Sequence, residues 1–403
     1  MNSTVSSYMR FFLFTTMYMV SSFKCRLLLT HRTIVRYRSD TYLDSTKTTG
    51  SFKKNLPEVY IPETHYRRGL RNLKKVQADK SIKNARNQNR KYAATAIDAL
   101  MQGLTIPITK SINAYKETYQ QLHPFEATVA ELTIASRVKV GQPHLKDIIE
   151  RMKRLRASTS KLGKYYAAQA SNATSALAAR ELLQNTMKEM ETLYTDNSEA
   201  RCLSDLLSLQ ADLRRIPVIE LDTPTIVLVG APNVGKSSIV RVVSSGTPEV
   251  NDYPFTTRGV SIGHITDPIR SLRFQVMDTP GLLDRPVEER NEMEKLTFAS
   301  LAHLPTAVMF VIDPTGMSGE KSTLEKQLSI RALLKERFPR RPWIDVVSKA
   351  DMIIPKDIQD LLPENYLPVS VKENINIELL RDRIEEMLLE LTRILLEMTK
   401  VEE

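Results

Sequence analysis

Gly230-Ala231-Pro232-Asn233-Val234-Gly235-Lys236-Ser237 is the segment that leaves this chain least freedom in how to fold. It follows Thr225 to Val229, an apolar run that reads as a buried strand, and precedes Ser238-Ile239-Val240-Arg241, which can open a helix. A strand that turns through two glycines into a helix leaves backbone N–H groups curled around a concave space. A lysine there neutralises phosphate oxygens, and a hydroxyl can ligate Mg²⁺. The loop therefore predicts a nucleoside phosphate held by Gly230, Asn233, Gly235, Lys236, Ser237 and Ser238, with Ser237 on the metal.

The residues beyond this loop extend the same logic. Apolar strand-like runs at Thr225 to Val229, Phe274 to Met277, Ala307 to Ile312, Trp343 to Val347 and Tyr366 to Val369 alternate with helix-like segments. Those segments start at Lys236 and run over Glu289 to Ala302, Ser322 to Arg337 and Glu378 to Met398. Such alternation predicts an α/β P-loop domain with a doubly wound, mostly parallel sheet over residues 221–403. The second candidate strand ends in Asp278-Thr279-Pro280-Gly281, the Asp-x-x-Gly signature of GTPases. Asp278 is expected to hold Mg²⁺ from the strand end, and the Gly281 amide to meet the γ-phosphate where no side chain obstructs it. Between the two motifs, Tyr253-Pro254-Phe255-Thr256-Thr257-Arg258 offers Thr257 as the switch-loop ligand of Mg²⁺ and γ-phosphate. Guanine selection needs a carboxylate facing its N1–H and 2-amino group, which Asp351 in Ser348-Lys349-Ala350-Asp351 is placed to supply. Ser348 replaces the usual asparagine and is expected to bond the phosphate loop. Ser370-Val371-Lys372 is similar to the loop whose backbone N–H meets the guanine 6-oxygen. The series implies GTP or GDP with Mg²⁺.

Catalytic groups are less complete. Ras-like enzymes place a glutamine after Asp-x-x-Gly to orient the attacking water, and Leu282 stands there in this chain. An apolar side chain cannot orient water, so unassisted hydrolysis is expected to be slow. Lys236, Asn233, Thr257 and Gly281 form the expected catalytic set. Asn233 occupies the position that, in potassium-dependent GTPases resembling this one, helps hold K⁺ against the phosphates. A compatible loop residue with no cation is the other reading of Asn233.

Upstream of residue 221 the composition changes. Residues 57–216 read as long helices, with no proline and one glycine, Gly163, between His144 and Ile216. Leu182, Leu183, Met187, Met190 and Leu193 recur at helical steps and predict a core-facing stripe; Pro107, Pro124 and Pro143 are the expected helix ends. The net charge of +10 is uneven: residues 1–56 and residues 57–91 each sum to +7, and the remainder to −4. Arg67 to Lys91 hold ten basic residues with Asp79 as the sole acid, interleaved with Asn72, Gln77, Asn84, Asn87, Gln88 and Asn89. Cations displace counterions from phosphates, and amides can bond sugar hydroxyls and base edges, so this segment is expected to contact RNA. The first 39 residues lack acids and are rich in Ser, Thr and Arg, the composition of an organellar targeting leader over residues 1–56. Their apolar stretch, Phe11 to Val20, is too short to span a bilayer, and no stable membrane insertion is expected of the mature chain. Two cysteines, Cys25 and Cys202, give neither a disulfide framework nor metal-ligand spacing.

The wording of the motifs resembles the nucleolar GTP-binding protein 1 family, within the Obg-related GTPases. The resemblance lies in Gly230 to Ser238, Tyr253 to Thr257, Phe274 to Pro286, Glu288-Glu289-Arg290-Asn291 followed by Ala302-His303-Leu304, and the helical region before them. It implies a GTPase that binds rRNA in a maturing large ribosomal subunit and assists its assembly. An RNA-binding scaffold with structural GTP is the competing expectation. Nucleolar members continue into a long carboxy-terminal extension, whereas this sequence ends at Glu403. Leader, length and the Ser-Lys-x-Asp variant together resemble the shorter plant organellar relatives. That resemblance implies a chloroplast, with a mitochondrion and the nucleolus as alternatives.

Overall fold

A computed structural model describes residues 56–217, 219–255, 260–267, 272–286 and 289–400. The predicted leader lies outside these residues, and so does Thr257. Two compact units emerge. One contains the helical residues up to 217 together with residues 252–255, and the other holds the rest from Ile219 onward.

The helical unit is built from α1 (Pro62–Lys74), α2 (Ala85–Gln121), α3 (Pro124–Lys139), α4 (Leu145–Ser171), α5 (Ala176–Thr195) and α6 (Arg201–Arg215). Helix starts are set by side chains that satisfy otherwise unpaired N–H groups. Asn84 caps α2, Ser175 caps α5, and His123 with Glu126 forms a reciprocal box at α3, where Pro124 takes the first turn. The central α2 packs against α1, α4 and α5 around Leu100, Leu104, Ile108, Met152 and Leu155. The predicted stripe on α5 faces inward, with Met190 buried and Leu183, Met187 and Leu193 packed on the same core.

Pro124 and Pro143 stand beside helix ends, but Pro107 lies inside α2 and ends nothing. Proline normally breaks a helix because it lacks a donor and crowds the carbonyl four residues earlier. Here that residue is Gly103, and the neighbouring carbonyls find other partners. Thr105 Oγ1 donates to Met101 O at 2.8 Å, and His65 Nε2 lies 2.9 Å from Leu104 O. Local bonding and burial outweigh the single lost backbone bond.

The second unit is a seven-stranded sheet in the order β2-β3-β4-β1-β5-β6-β7. Its strands are β1 (Thr225–Val229), β2 (Glu249–Asn251), β3 (Val260–Asp267), β4 (Leu272–Asp278), β5 (Thr306–Ile312), β6 (Trp343–Val347) and β7 (Leu367–Pro368). The five strands expected from apolar runs are the parallel ones, and β1 and β5 are buried throughout, as strands covered on both faces must be. Sequence reading missed β2 and β3, which join antiparallel at one edge. Val250, the one apolar residue of β2, is exposed, so no apolar run marks that strand. Helices α7 (Lys236–Val243), α8 (Glu292–His303), α9 (Leu324–Arg337), the short α10 (Lys356–Gln359) and α11 (Ile377–Lys400) complete the unit. Leu380, Ile384, Leu388 and Leu391 form the face by which α11 covers the sheet. Since β1 lies between β4 and β5, the chain leaves it in opposite directions across the sheet, which opens a crevice at the carboxyl ends of these strands.

Gly163 sits within α4 where a Cβ would fall 2.8 Å from Met101 Cβ and Cγ. Helix propensity alone favours alanine by about 1 kcal/mol. Overpacking against α2 opposes that gain and is the larger effect, so Gly163→Ala is expected to destabilise the chain by about 1–3 kcal/mol in urea unfolding. A more stable variant would show that the two helices have room to part.

Candidate nucleotide site

The phosphate loop is a backbone structure before it is a set of side chains. Gly230 has φ 151°, and a Cβ there would sit 2.4 Å from Val311 O of β5. Asn233 and Gly235 adopt left-handed φ values of 62° and 96°, and Gly235 caps α7, which begins at Lys236. This sequence of turns aims the first N–H groups of α7 toward the crevice, a ready anion site. Lys236 is 6% exposed, and its Nζ donates to the Ala231 and Gly230 carbonyls at 2.7 and 3.2 Å. Burial pushes its ammonium down to about 8, against the opposing pull of Asp278. Ser238 lies in the same first turn, its N–H donating to Gly235 O.

Asp278 ends β4 in register with Leu228 of β1. Its Oδ2 accepts a hydrogen bond from Ser237 Oγ, whereas its Oδ1 is buried with no hydrogen-bond partner. Burial raises its pKa, while Ser237, Lys236 and Arg241 lower it. A hydroxyl beside a carboxylate with an orphaned buried oxygen fits a hard divalent cation with oxygen ligands, so Ser237 and Asp278 suit Mg²⁺. Gly281 is required for a reason the motif does not state: a Cβ would lie 2.5 Å from the Pro232 nitrogen. The next residue locks the same contact, with Leu282 N–H donating to Gly230 O at 3.0 Å. Leu282 is only 2% exposed, so its side chain belongs to the interior. Beyond it, buried Glu294 accepts from Leu283 N–H at 3.0 Å and pairs with Arg285 at 2.6 Å.

The two candidate base loops come together. Ala350 N–H donates to Val369 O at 3.1 Å, and Ser370 Oγ donates to Asp351 Oδ1 at 2.6 Å, which holds the Asp351 carboxyl below the usual range. Val371 follows half-buried, and Lys372 is exposed beside Glu373. Ser348 does not bond the phosphate loop as expected; its N–H and Oγ donate to Ile312 O at 2.9 and 3.1 Å. The serine side chain is too short to leave the strand end. It nonetheless adjoins that loop, since a Cβ on Gly235 would lie 3.8 Å from Ser348 Cβ. Lys349 adopts φ 58°, and its Nζ pairs with Asp313 at 2.6 Å. Sequence reading missed Asp313. An aspartate after an apolar strand was its only signal.

The comparisons with known proteins agree with this geometry. Residues 225–349 match the family model described as a 50S ribosome-binding GTPase, and residues 52–220 match the NOG1 N-terminal helical domain. The chain belongs to the nucleolar GTP-binding protein 1 family. It is similar to nucleolar GTP-binding protein 1 of Drosophila melanogaster, with 31% identity over 59% of this chain and 35% of the fly protein. The Arabidopsis thaliana protein of that name is 32% identical over 60% and 34% of the two chains, and the Saccharomyces cerevisiae one 35% over 44% and 27%. The chain thus spans about a third of the length of the curated relatives it matches. Relatives named for the nucleolus, the plant one included, overturn the chloroplast assignment and its mitochondrial alternative. The physical reason is that an acid-free, basic, hydroxyl-rich stretch fixes charge but specifies no single destination. Among the described residues no helix is long and apolar enough to cross a membrane.

A lysine held near pKa 8 makes phosphate binding proton-linked. Phosphates favour the charged ammonium, so GDP binding is expected to take up a proton near pH 8, and affinity to fall by up to about tenfold per unit above that pH. Calorimetry in buffers of different ionisation enthalpy measures the uptake. A pH-independent affinity between 7 and 9.5 would show that Lys236 is already charged in the empty site.

Proposed function

We propose that the chain is a slow GTPase switch whose helical unit binds RNA of a large ribosomal subunit precursor. The observation that carries the RNA half is a basic face on α1 and its C-cap, where Arg67, Arg68, Arg71, Lys74 and the capping Lys75 are all exposed. Arg68 is held over Tyr60 at 3.9 Å, and Asp79 is engaged by Lys91 at 2.8 Å rather than by α1. The amides counted toward RNA in the sequence are partly spoken for. Asn84 caps α2, Gln88 donates to Asp79 O and Asn89 accepts from Arg180. Contact by the remaining cations is therefore directed at phosphates, which makes it salt-dependent and weakly sequence-specific.

The switch half rests on the nucleotide site. In this reading Gly230, Asn233, Gly235, Lys236, Ser237 and Ser238 hold the phosphates, and Ser237 and Asp278 hold Mg²⁺ with Thr257. Gly281 meets the γ-phosphate, while Ser348, Lys349, Asp351, Ser370, Val371 and Lys372 surround guanine. Buried Leu282 supports slow hydrolysis, since no side chain follows Gly281 into the site to orient water. Asn233, exposed on the phosphate loop, supports a K⁺ at the phosphates that supplies the missing positive charge. Residues 252–255, next to the expected switch threonine, group with the helical unit. There Tyr253 is buried, its ring lies tilted 5.5 Å from that of Phe255, and it lines a cavity of about 430 Å³ with Thr133, Arg137 and Asp212. Buried Leu282 equally favours a second reading, a scaffold in which bound GTP is structural.

Single-turnover hydrolysis separates the two. A switch is expected to run about tenfold or more faster in K⁺ than in Na⁺, a difference that Asn233→Ala removes. Equal rates in both salts, with and without precursor particles, would leave the scaffold. For the RNA face, replacing Arg67, Arg71, Lys74 and Lys75 by glutamine is expected to lower the log–log salt slope of RNA binding by about 3. An unchanged slope would place the RNA elsewhere.

A further inference from the structure

We propose that Asp313 is a positioning residue for guanine recognition, acting through Lys349; this rests on the reading of Asp351 as the group that meets the base. Asp313 follows β5 and is 1% exposed, so its carboxylate must be fully satisfied to be tolerated there. Its Oδ1 accepts from Thr315 N–H and Oγ1 at 2.9 and 2.6 Å. Its Oδ2 accepts from Ser318 Oγ at 2.5 Å and from Lys349 Nζ at 2.6 Å. Burial alone would raise its pKa, but Lys349, Ser318 and Thr315 together hold it below the ordinary value.

The backbone of Asp313 is equally fixed. Gln327, fully buried on α9, accepts from Asp313 N–H and donates to Asp313 O, both at 2.9 Å, and donates to Ser322 O at 2.8 Å. Asp313 is thus an immobile anchor tied to the sheet on one side and to α9 on the other.

What it anchors is strained. Lys349 is a non-glycine residue in the left-handed region, a conformation that persists only when its surroundings over-determine it. Four bonds do so: Ser348 N–H and Oγ to Ile312 O before it, Ala350 N–H to Val369 O after it, and the Nζ pair with Asp313. Asp351 stands two residues on, so the turn at Lys349 sets where its carboxylate points. Ser370 restrains that carboxylate from the opposite loop. Asp351 is therefore aimed by two anchors, and Asp313 is the one that no guanine motif contains.

The test uses the full chain and two nucleotides, GDP and IDP, which lacks the 2-amino group that a carboxylate at Asp351 binds. Asp313→Asn removes the charge and keeps the shape. It is expected to reduce the preference for GDP over IDP by about tenfold, the size of a charge-assisted hydrogen bond. Lys349→Met attacks the same pair from its half-exposed side, and is expected to give the same loss should Asp313→Asn fold poorly. In the Lys349→Met background Asp313→Asn is expected to add nothing to the loss. Equal weakening of GDP and IDP by both variants, or additive losses in the double variant, would overturn the proposal by reducing Asp313 to a structural role. Asp351→Asn is the control for the reading beneath it. If Asp351→Asn leaves the GDP preference intact, the guanine reading itself fails; if it abolishes the preference while Asp313→Asn does not, only the positioning role fails.

Discussion

Gly230 is the point on which the nucleotide unit closes. Its α-carbon approaches the Val311 carbonyl so closely that a Cβ would lie 2.4 Å away, and its own carbonyl accepts from both Leu282 N–H and Lys236 Nζ. Strands β1, β4 and β5 thereby meet through one residue without a side chain. The phosphate loop, the segment after Asp278 and the end of β5 cannot move independently while that contact holds. A larger residue at 230 would separate β1 from β5 before it altered any phosphate contact, so the glycine serves the fold and the site through the same geometry.

The same economy governs Gly281. Its lack of a side chain can be read as clearance for a phosphate, yet the nearest obstacle to a Cβ is Pro232 in the phosphate loop. Two motifs separated by dozens of residues are therefore packed backbone to backbone. A change on one side of that contact is felt on the other because close-packed interiors transmit small displacements.

Much of this was legible in the sequence because it depends on residues with few alternatives. The parallel strands are apolar runs since both their faces are covered, and the phosphate loop is a fixed spacing because its turns admit little else. The antiparallel edge was hidden: β2 exposes its lone apolar residue, and Gly263 in β3 gives no strand signal. Pro107 misled because proline was weighed as an isolated residue, whereas the packing of α2 against its neighbours outweighs the one bond it removes. Asn84, Gln88 and Asn89 are ambiguous in the sequence, since amides that suit RNA also suit helix caps and carbonyls, where the fold engages them. Asp313 had no motif at all. Its significance lies in a pairing across thirty-six positions that only the fold creates.

The buried charges would make a bound nucleotide part of the unit's energetics. Lys236 is driven toward its neutral form and Asp278 toward its protonated form by the same burial, so each is least stable in the charge state that nucleotide and metal require. A phosphate beside the lysine and a divalent cation beside the carboxylate would reverse both shifts at once. Under the proposed site assignment, part of the affinity is relief of a cost already present in the protein. A ligand that binds the folded state at a hundred times its dissociation constant adds about 2.7 kcal/mol to stability, comparable with a buried side chain. The contacts that would supply that gain lie in the crevice at the strand ends, where Leu228 and Asp278 are in register and Gly230 draws β1 against β5.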